Sequence, residues 1–278
     1  MNKLIAAFDG LKYSTATRDL AIDLAKKNKM HLVGVFLDDQ TYKSYRIYEL
    51  INKEGVSEMR LKELEQQDKQ NRKASADDFR DKGNENGIPF SVHHDHQIAI
   101  HQLKHESIYA DLLLIDSKET FTHYEENKPT RFIRELLVDT QCPVLLVQEK
   151  FTPIKKVVLL YDGAPSSVFA IRQFSYLLPG CLTLPTRVLT VTPPDKSLHL
   201  PDNRLMKELM KRHWPDAEYE VLHGLAEEEI MRQLAREDEG TLVVLGAYRR
   251  GNLSRWFRES MADLLMRETR LPLFVAHS

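Results

Sequence analysis

The chain has 278 residues, of which 42% are hydrophobic, so it can bury the core of one large or two ordinary domains. Its net charge of −2 and isoelectric point near 6.6 provide no general attraction for nucleic acid or for an acidic membrane. No apolar run reaches the length of a membrane span, and the first ten residues are typical of a strand rather than a secretory signal. We therefore expect a cytoplasmic protein that binds neither nucleic acid nor membrane.

The first half of the chain predicts five strands separated by helix-length segments. The strands are short apolar runs rich in β-branched residues, with the sequences KLIAAF, HLVGVFL, PFSVHH, DLLLID and PVLLVQ. A long, highly charged segment, residues 38–87, follows the second strand. It predicts a mostly helical, solvated arm with charge pairs at i,i+4. In the alternative, its YKSYRIYELI stretch covers a ligand crevice or a partner, because these apolar side chains need a surface to lie against.

A group of histidines follows the third strand, in HHDHQIAIHQLKHES (93–107). His101 and His105 are four residues apart, so they share one face of the predicted helix and could chelate a transition metal with His94 or His96. Surface histidines often have the same spacing, and the stretch contains no cysteine and no His-Glu-x-x-His pattern. We therefore predict no metal site and keep these four histidines as weak candidates, with pH sensing as an alternative.

The second half repeats the plan of the first. Its predicted strands are KKVVLLY, TRVLTVT, AEYEVLH, TLVVLG and LPLFVA, and both halves start with an apolar strand followed by Asp-Gly, at Asp9 and at Asp162. Strands that alternate with helices predict right-handed crossovers and a mainly parallel sheet with helices on both faces. We therefore predict an α/β protein of two tandem doubly wound domains, residues 1–150 and 151–278, the first with a long helical insertion after its second strand.

The repeated starts, the final strands CPVLLVQE and LPLFVAHS, and the loop GAYRRGNLSRWFRES (246–260) together resemble universal stress proteins in their tandem two-domain form. The resemblance covers nearly the whole chain. It implies a five-stranded sheet of order 3-2-1-4-5 in each domain, a pairing of the two domains through their last strands, and a role in the stress response. It leaves open whether two chains pair further as a homodimer.

Nucleotide-binding members of this family carry Gly-x-x-Gly, nine residues, and then Gly-Ser or Gly-Thr in the loop after the fourth strand. In the second half Gly246 and Ser260 match the first glycine and the hydroxyl, whereas Arg249 and Glu259 replace the other two glycines. The missing glycines argue against the close approach of backbone N–H groups to a phosphate. Gly251 could instead relocate the turn, and the arginines could bind phosphate directly.

The resemblance makes the second half a candidate site for ATP, another adenine nucleotide or another anionic small molecule. The residues expected to contact it are Asp162, Gly163, Val191, Gly246, Arg249, Gly251, Ser254 and Ser260. Two of these have structural alternatives. Asp162 could close the strand-to-helix turn, and Ser260 could cap the last helix in a capping box with Asp263.

In the first half, Asp116 and Glu119 occupy the first two glycine positions, and Thr130 alone retains the hydroxyl. Acids at this loop disfavour a phosphate, so we expect no ATP site of the family type there. The chain carries no nucleophile elbow, Walker loop or dinucleotide fingerprint, and Cys142 and Cys181 have no evident base. We therefore predict a non-catalytic stress-response binding or interaction protein. The alternatives are a nucleotide-binding regulator, with slow ATP hydrolysis left open, and a small-molecule or metal sensor that uses the first half.

Overall fold

The computed structural model describes residues 2–38, 58–95, 98–194, 199–246 and 260–277. The first half contains β1 (Lys3–Asp9), α1 (Thr15–Asn28), β2 (His31–Leu37), α2 (Glu58–Glu85), β3 (Phe90–Asp95), α3 (Ala99–Ile108), β4 (Leu112–Asp116), α4 (Arg131–Asp139) and β5 (Val144–Val147). The second half contains β6 (Lys156–Leu160), α5 (Pro165–Leu177), a short 3-10 helix (Pro179–Cys181), β7 (Thr186–Thr192), α6 (Asn203–His213), β8 (Glu218–His223), α7 (Ala226–Leu234), β9 (Thr241–Gly246), α8 (Met261–Glu268) and β10 (Leu273–Ala276). Within these ranges, no helix is both long and apolar enough to cross a bilayer.

The ten described strands form one sheet in the order β3-β2-β1-β4-β5-β10-β9-β6-β7-β8. Each half therefore has the order 3-2-1-4-5, and all ten predicted strands are confirmed. Neighbouring strands within a half are parallel. The halves meet through their last strands, β5 and β10, which pair antiparallel with Leu145 opposite Phe274. This is the pairing that the resemblance implied.

The sheet is covered on both faces. Successive strand residues point to opposite sides, so Leu4 and Ala6 lie on the face covered by α1, α2, α5 and α6, whereas Ile5 and Ala7 lie on the face covered by α3, α4, α7 and α8. Burial on both faces explains why the central strands are continuous apolar runs rather than alternating ones.

The charged segment after β2 is helical from Glu58 to Glu85, as predicted, and its part 39–57, which includes YKSYRIYELI, lies outside the described residues. The helix is not a fully solvated arm, because Phe79 is completely buried and packs edge-on against the rings of Phe8 and Phe36, at centroid distances of 5.5 and 5.9 Å. A Cβ at Gly34 would lie 2.7 Å from the Phe79 ring. The ion pairs described within this helix are three residues apart, not the four expected.

Candidate functional site

The two halves present their candidate crevices at opposite edges of the sheet. In a doubly wound sheet, ligands bind beyond the carboxyl ends of the strands, where the strand order reverses. Here that point lies between the first and fourth strands of each half. Because β5 and β10 are antiparallel, the strands of the first half end at one edge and those of the second half at the other.

The crevice of the first half contains a buried pair of acids around one lysine. Asp9 Oδ1 accepts a hydrogen bond from the Leu11 N–H at 2.8 Å, and Asp9 Oδ2 has no hydrogen-bond donor among the described residues. Glu119 Oε1 accepts from the N–H groups of Thr120 and Phe121, at 2.9 and 2.8 Å. The ammonium of Lys12 lies 3.8 Å from Asp9 Oδ2 and 3.5 Å from Glu119 Oε1.

The burial of this pair shifts both carboxyl groups toward the protonated form. Burial raises the pKa of Asp9, and the Leu11 N–H and the charge of Lys12 only partly oppose the effect. Burial and the nearby charge of Asp9 raise the pKa of Glu119 to about 7. An additional anion here would meet acids already poorly solvated, so the crevice is unsuited to phosphate.

The hydroxyl that matches the family motif in the first half serves the fold. Thr130 Oγ1 donates to the carbonyl of Glu119 at 2.6 Å and accepts from the Ile133 N–H at 3.2 Å, which caps α4. Thr130 is completely buried. Its hydroxyl therefore anchors the loop after β4 to the helix that follows it.

A cleft of about 570 Å³ opens beside this crevice, between α2 and the carboxyl ends of β2 and β3. Phe36, Leu37 and Ala76 supply its apolar base. The remaining described lining is Gly10 and a rim of charged or titratable side chains, namely Asp38, Glu65, Asp68, Lys69, Arg72, Lys73, Asp77, Arg80 and His94. Sequence reasoning did not identify this cleft. The sequence feature that could have indicated it is the pair Ala76 and Phe79. These two apolar residues are three positions apart in a charged helix, and such a pair marks the face that packs on the sheet.

Two contacts order the polar part of the cleft. His94 stacks on Phe36 with 5.7 Å between ring centroids, and its Nε2 lies 3.1 Å from an Nη atom of Arg80. Arg72 Nη1 lies 3.0 Å from Asp38 Oδ1 and 4.0 Å from Asp9 Oδ1, so it connects the cleft to the buried acids. A cleft with an aromatic floor and a charged rim suits a small molecule that has one flat apolar part and one charged group.

The histidine candidates do not form a described metal cluster. His94 is engaged in the cleft, whereas His101 and His105 are exposed on α3, because Ala99, Leu103 and Ser107 form the buried face of that helix. His96 lies outside the described residues. Within the part of the chain that the structure describes, no three His, Cys, Asp or Glu side chains are grouped to hold a metal ion.

In the second half, Asp162 and Gly163 form the turn from β6 into α5. Asp162 Oδ1 accepts from the Ala164 N–H at 2.8 Å and from the Ser167 hydroxyl at 2.7 Å. Gly163 has a φ of +81°, and a Cβ there would lie 2.6 Å from the Cβ of Pro201. Both residues therefore shape the turn, as the structural alternative for Asp162 predicted.

Three further candidates are described at the same edge. Gly246 ends β9, and a Cβ there would lie 2.3 Å from the Ser166 carbonyl oxygen, so the glycine permits close packing of β9 on α5. Ser260 accepts from the Asp263 N–H at 3.1 Å, and Asp263 Oδ2 accepts from the Ser260 N–H at 3.4 Å, which completes the predicted capping box. Val191 is half-buried near the end of β7.

The other three candidates, Arg249, Gly251 and Ser254, lie outside the described residues. Gly246 and Ser260 flank this undescribed stretch, 247–259. A ligand role for the eight candidates stays a prediction, because each contact described above also has a role in folding.

Comparison with known proteins gives a fold. The sequence matches no family model and no curated protein. Among solved structures, a universal stress protein from Archaeoglobus fulgidus DSM 4304 is 14% identical, covers 99% of this chain and 98% of its own, and superposes with a TM-score of 0.67. A functionally unknown protein from Pseudomonas aeruginosa PAO1 is 12% identical, covers 100% of this chain and 92% of its own, and has a TM-score of 0.63. These likenesses extend over both halves.

Proposed function

We propose that the chain, which has the fold of a tandem universal stress protein, is a non-catalytic stress-response protein. In this proposal it binds a small molecule in the cleft of its first half. One observation carries this proposal. The cleft between α2 and the ends of β2 and β3 is a concave, partly apolar site, whereas the neighbouring crevice is filled by Asp9, Lys12 and Glu119. Ligand sites typically have such a volume and such a mixture of apolar and polar lining.

The lining indicates the chemical class of the ligand. His94, which is exposed and stacked on the buried ring of Phe36, provides a flat surface for an apolar ring. On the rim, Lys69 and Lys73 are exposed and form no ion pair with any residue that the structure describes, whereas Arg72 and Arg80 are paired with acids. We infer that the ligand is a small aromatic or otherwise flat molecule with one acidic group, held by the two lysines.

The same lining favours binding over turnover. The described residues of the cleft include no serine, threonine or cysteine, so they offer no hydroxyl or thiol nucleophile. Cys142 and Cys181 are buried elsewhere. The absence of catalysis remains part of the proposal.

Titration of the protein with 1-naphthoate, a flat fluorescent monocarboxylate, tests the proposal. We expect binding to the wild type and a Kd increased about tenfold or more in Lys69→Glu and in Lys73→Glu. The matched control is Lys62→Glu, which reverses an exposed lysine of the same helix that does not line the cleft. Equal affinity in all four proteins would overturn the proposal, as would no binding by the wild type at millimolar 1-naphthoate.

An adenine nucleotide in the second half is the second candidate. Both hydrogen bonds that Asp162 accepts use Oδ1, so Oδ2 of this exposed carboxylate is available to the hydroxyls of a ribose. Asp162→Asn keeps Oδ1 for the turn and removes the second acceptor, and Asp216→Asn is an exposed control in the same half. If ATP binds here, Asp162→Asn weakens it and Asp216→Asn does not; no ATP binding by the wild type would remove this candidate.

A further inference from the structure

A second cleft, of about 490 Å³, lies where the two halves of the chain meet. The first half lines it mainly with residues that follow β4 and β5, and the second half lines it mainly with the end of α8 and the segment between α8 and β10. Its polar lining includes Lys118, Lys128, Gln148, Glu149, Lys150 and Arg270. None of Asp9, Lys12, Glu119 and Asp162 lines this cleft, although Lys118 and Lys128 belong to the loop after β4 (116–130) that matches the family motif.

Lys128 is the central cation of this junction cleft. Its side chain is half-buried, and Nζ donates to Gln148 Oε1 at 2.6 Å. Gln148 is itself buried and fixed, because it accepts from the Ser117 hydroxyl at 3.2 Å and donates through Nε2 to the Leu271 carbonyl at 2.9 Å. The ammonium of Lys128 is therefore held in place by a neutral amide that spans the two halves, and it forms no ion pair with any described carboxylate.

The surrounding charges add to the positive potential. Lys118 is paired with Glu149, but Lys150 and Arg270 are exposed and form no described ion pair. Five basic side chains line the cleft against three acidic ones, in a chain whose net charge is −2. Burial lowers the pKa of Lys128, and the charges of Lys118 and Arg270 lower it further, although Asp116 and Glu149 oppose the effect. An anion in the cleft would reduce this repulsion.

We propose that the junction cleft binds a phosphate-bearing small molecule. Arg270 provides a planar fork for two phosphate oxygens, and Lys128 and Lys150 provide point charges for the rest. A phosphate dianion matches several unpaired cations better than a single carboxylate does. Because residues of both halves line the cleft, the bound molecule contacts both and stabilises their junction.

Calorimetric titration with inorganic pyrophosphate tests this site. We expect the wild type to bind and the Kd to rise about tenfold or more in Arg270→Gln and in Lys128→Gln. Arg270 is exposed, so its substitution keeps the result interpretable even if loss of the half-buried Lys128 impairs folding. The charge-matched control is Lys26→Gln, an exposed lysine of α1 outside the cleft, which should bind as the wild type does.

The outcomes separate this site from the others. Binding of pyrophosphate that is unaffected by Arg270→Gln and by Lys128→Gln places the anion elsewhere and overturns the proposal, as does no binding at millimolar pyrophosphate. Equal affinity for citrate would overturn the assignment to phosphate. Lys69→Glu and Lys73→Glu should leave pyrophosphate binding unchanged, so the junction site and the cleft beside α2 can fail independently.

Discussion

Asp9 and Glu119 are buried within reach of a single ammonium group, that of Lys12. The same ammonium donates to the hydroxyl of Thr120 at 2.9 Å, a contact between residues 108 positions apart in the sequence. Lys12 is itself partly exposed and Arg72 approaches Asp9 only to 4.0 Å, so these cations do not fully compensate two carboxylates that are removed from water. The pair therefore holds a proton more tightly than exposed acids do.

This pair makes the stability of the protein depend on pH. Glu119 has an ordinary pKa of 4.5 and a folded pKa of about 7, so the folded chain binds more protons than the unfolded chain between these values. The free energy of unfolding should therefore fall as pH rises from about 4.5 to about 7, and then level off. The raised pKa of Asp9 acts in the same direction. Urea unfolding at a series of pH values measures the slope.

Glu119→Gln tests whether this acid causes the pH dependence of stability. The amide keeps an oxygen for the Thr120 and Phe121 N–H groups and removes the charge. We expect the free energy of unfolding to increase by about 2 kcal/mol at alkaline pH and to change little at pH 5, since one pKa unit corresponds to about 1.4 kcal/mol. Glu125→Gln, an exposed acid of the same loop, should show neither effect. An equal loss of stability at both pH values would contradict the assignment.

The close packing of β9 on α5 predicts a large effect at Gly246. Gly246→Ala places a Cβ 2.3 Å from the Ser166 carbonyl oxygen, so backbone must move, and we expect a loss of about 3 kcal/mol. Gly87→Ala is the comparison: it is strained by a φ of +62° but has open space around its Cβ, and should cost about 1 kcal/mol. Similar costs for the two would argue against the packing role. A bulky residue at Gly246 is consequently a poor probe of nucleotide binding.

The buried ring of Phe79 in α2 should contribute strongly to the stability of the protein. Phe79→Ala removes a completely buried ring that contacts Phe8, Phe36 and Phe90, and we expect a loss of about 3–5 kcal/mol in urea unfolding. Met59→Ala, in the same helix at 74% exposure, should change stability by less than about 0.5 kcal/mol. If Phe79→Ala is equally mild, the packing of α2 on the sheet does not contribute to stability as described.

Both thiols should be unreactive in the native protein. Burial raises the pKa of Cys142 to about 12 and that of Cys181 to about 11, so little thiolate forms at neutral pH. A thiol reagent that releases a coloured product should therefore react slowly with the folded protein and titrate both thiols after unfolding in urea. Fast reaction of one thiol without urea would show an exposed or activated cysteine.

Much of the fold follows from local signals. The apolar runs and the repeated Asp-Gly starts predict ten strands in the correct order, because both halves obey the same strand–helix alternation. The capping box of Ser260 and Asp263 and the turn at Asp162 could likewise be inferred, since each is a contact within five residues.

The contacts that sequence reasoning missed are non-local. Glu119 could be recognised as an unsuitable residue in a phosphate loop, but its burial with Asp9 and Lys12 depends on the meeting of two loops far apart in sequence. The cleft beside α2 depends on the rotation of that helix about its axis, which the fit of Phe79 against Gly34 determines. Charge dominates the sequence of this helix and obscures its narrow apolar face.

The antiparallel pair of β5 and β10 lies within one polypeptide, so the two halves cannot separate on dilution. Each half meets the other at an effective concentration set by the short connection between them, independent of how much protein is present. A substitution in either last strand also occurs once per sheet, not twice as in a symmetric dimer. The two edges of the sheet can therefore differ in chemistry. One edge carries the buried acids around Lys12, and the other carries the turn at Asp162.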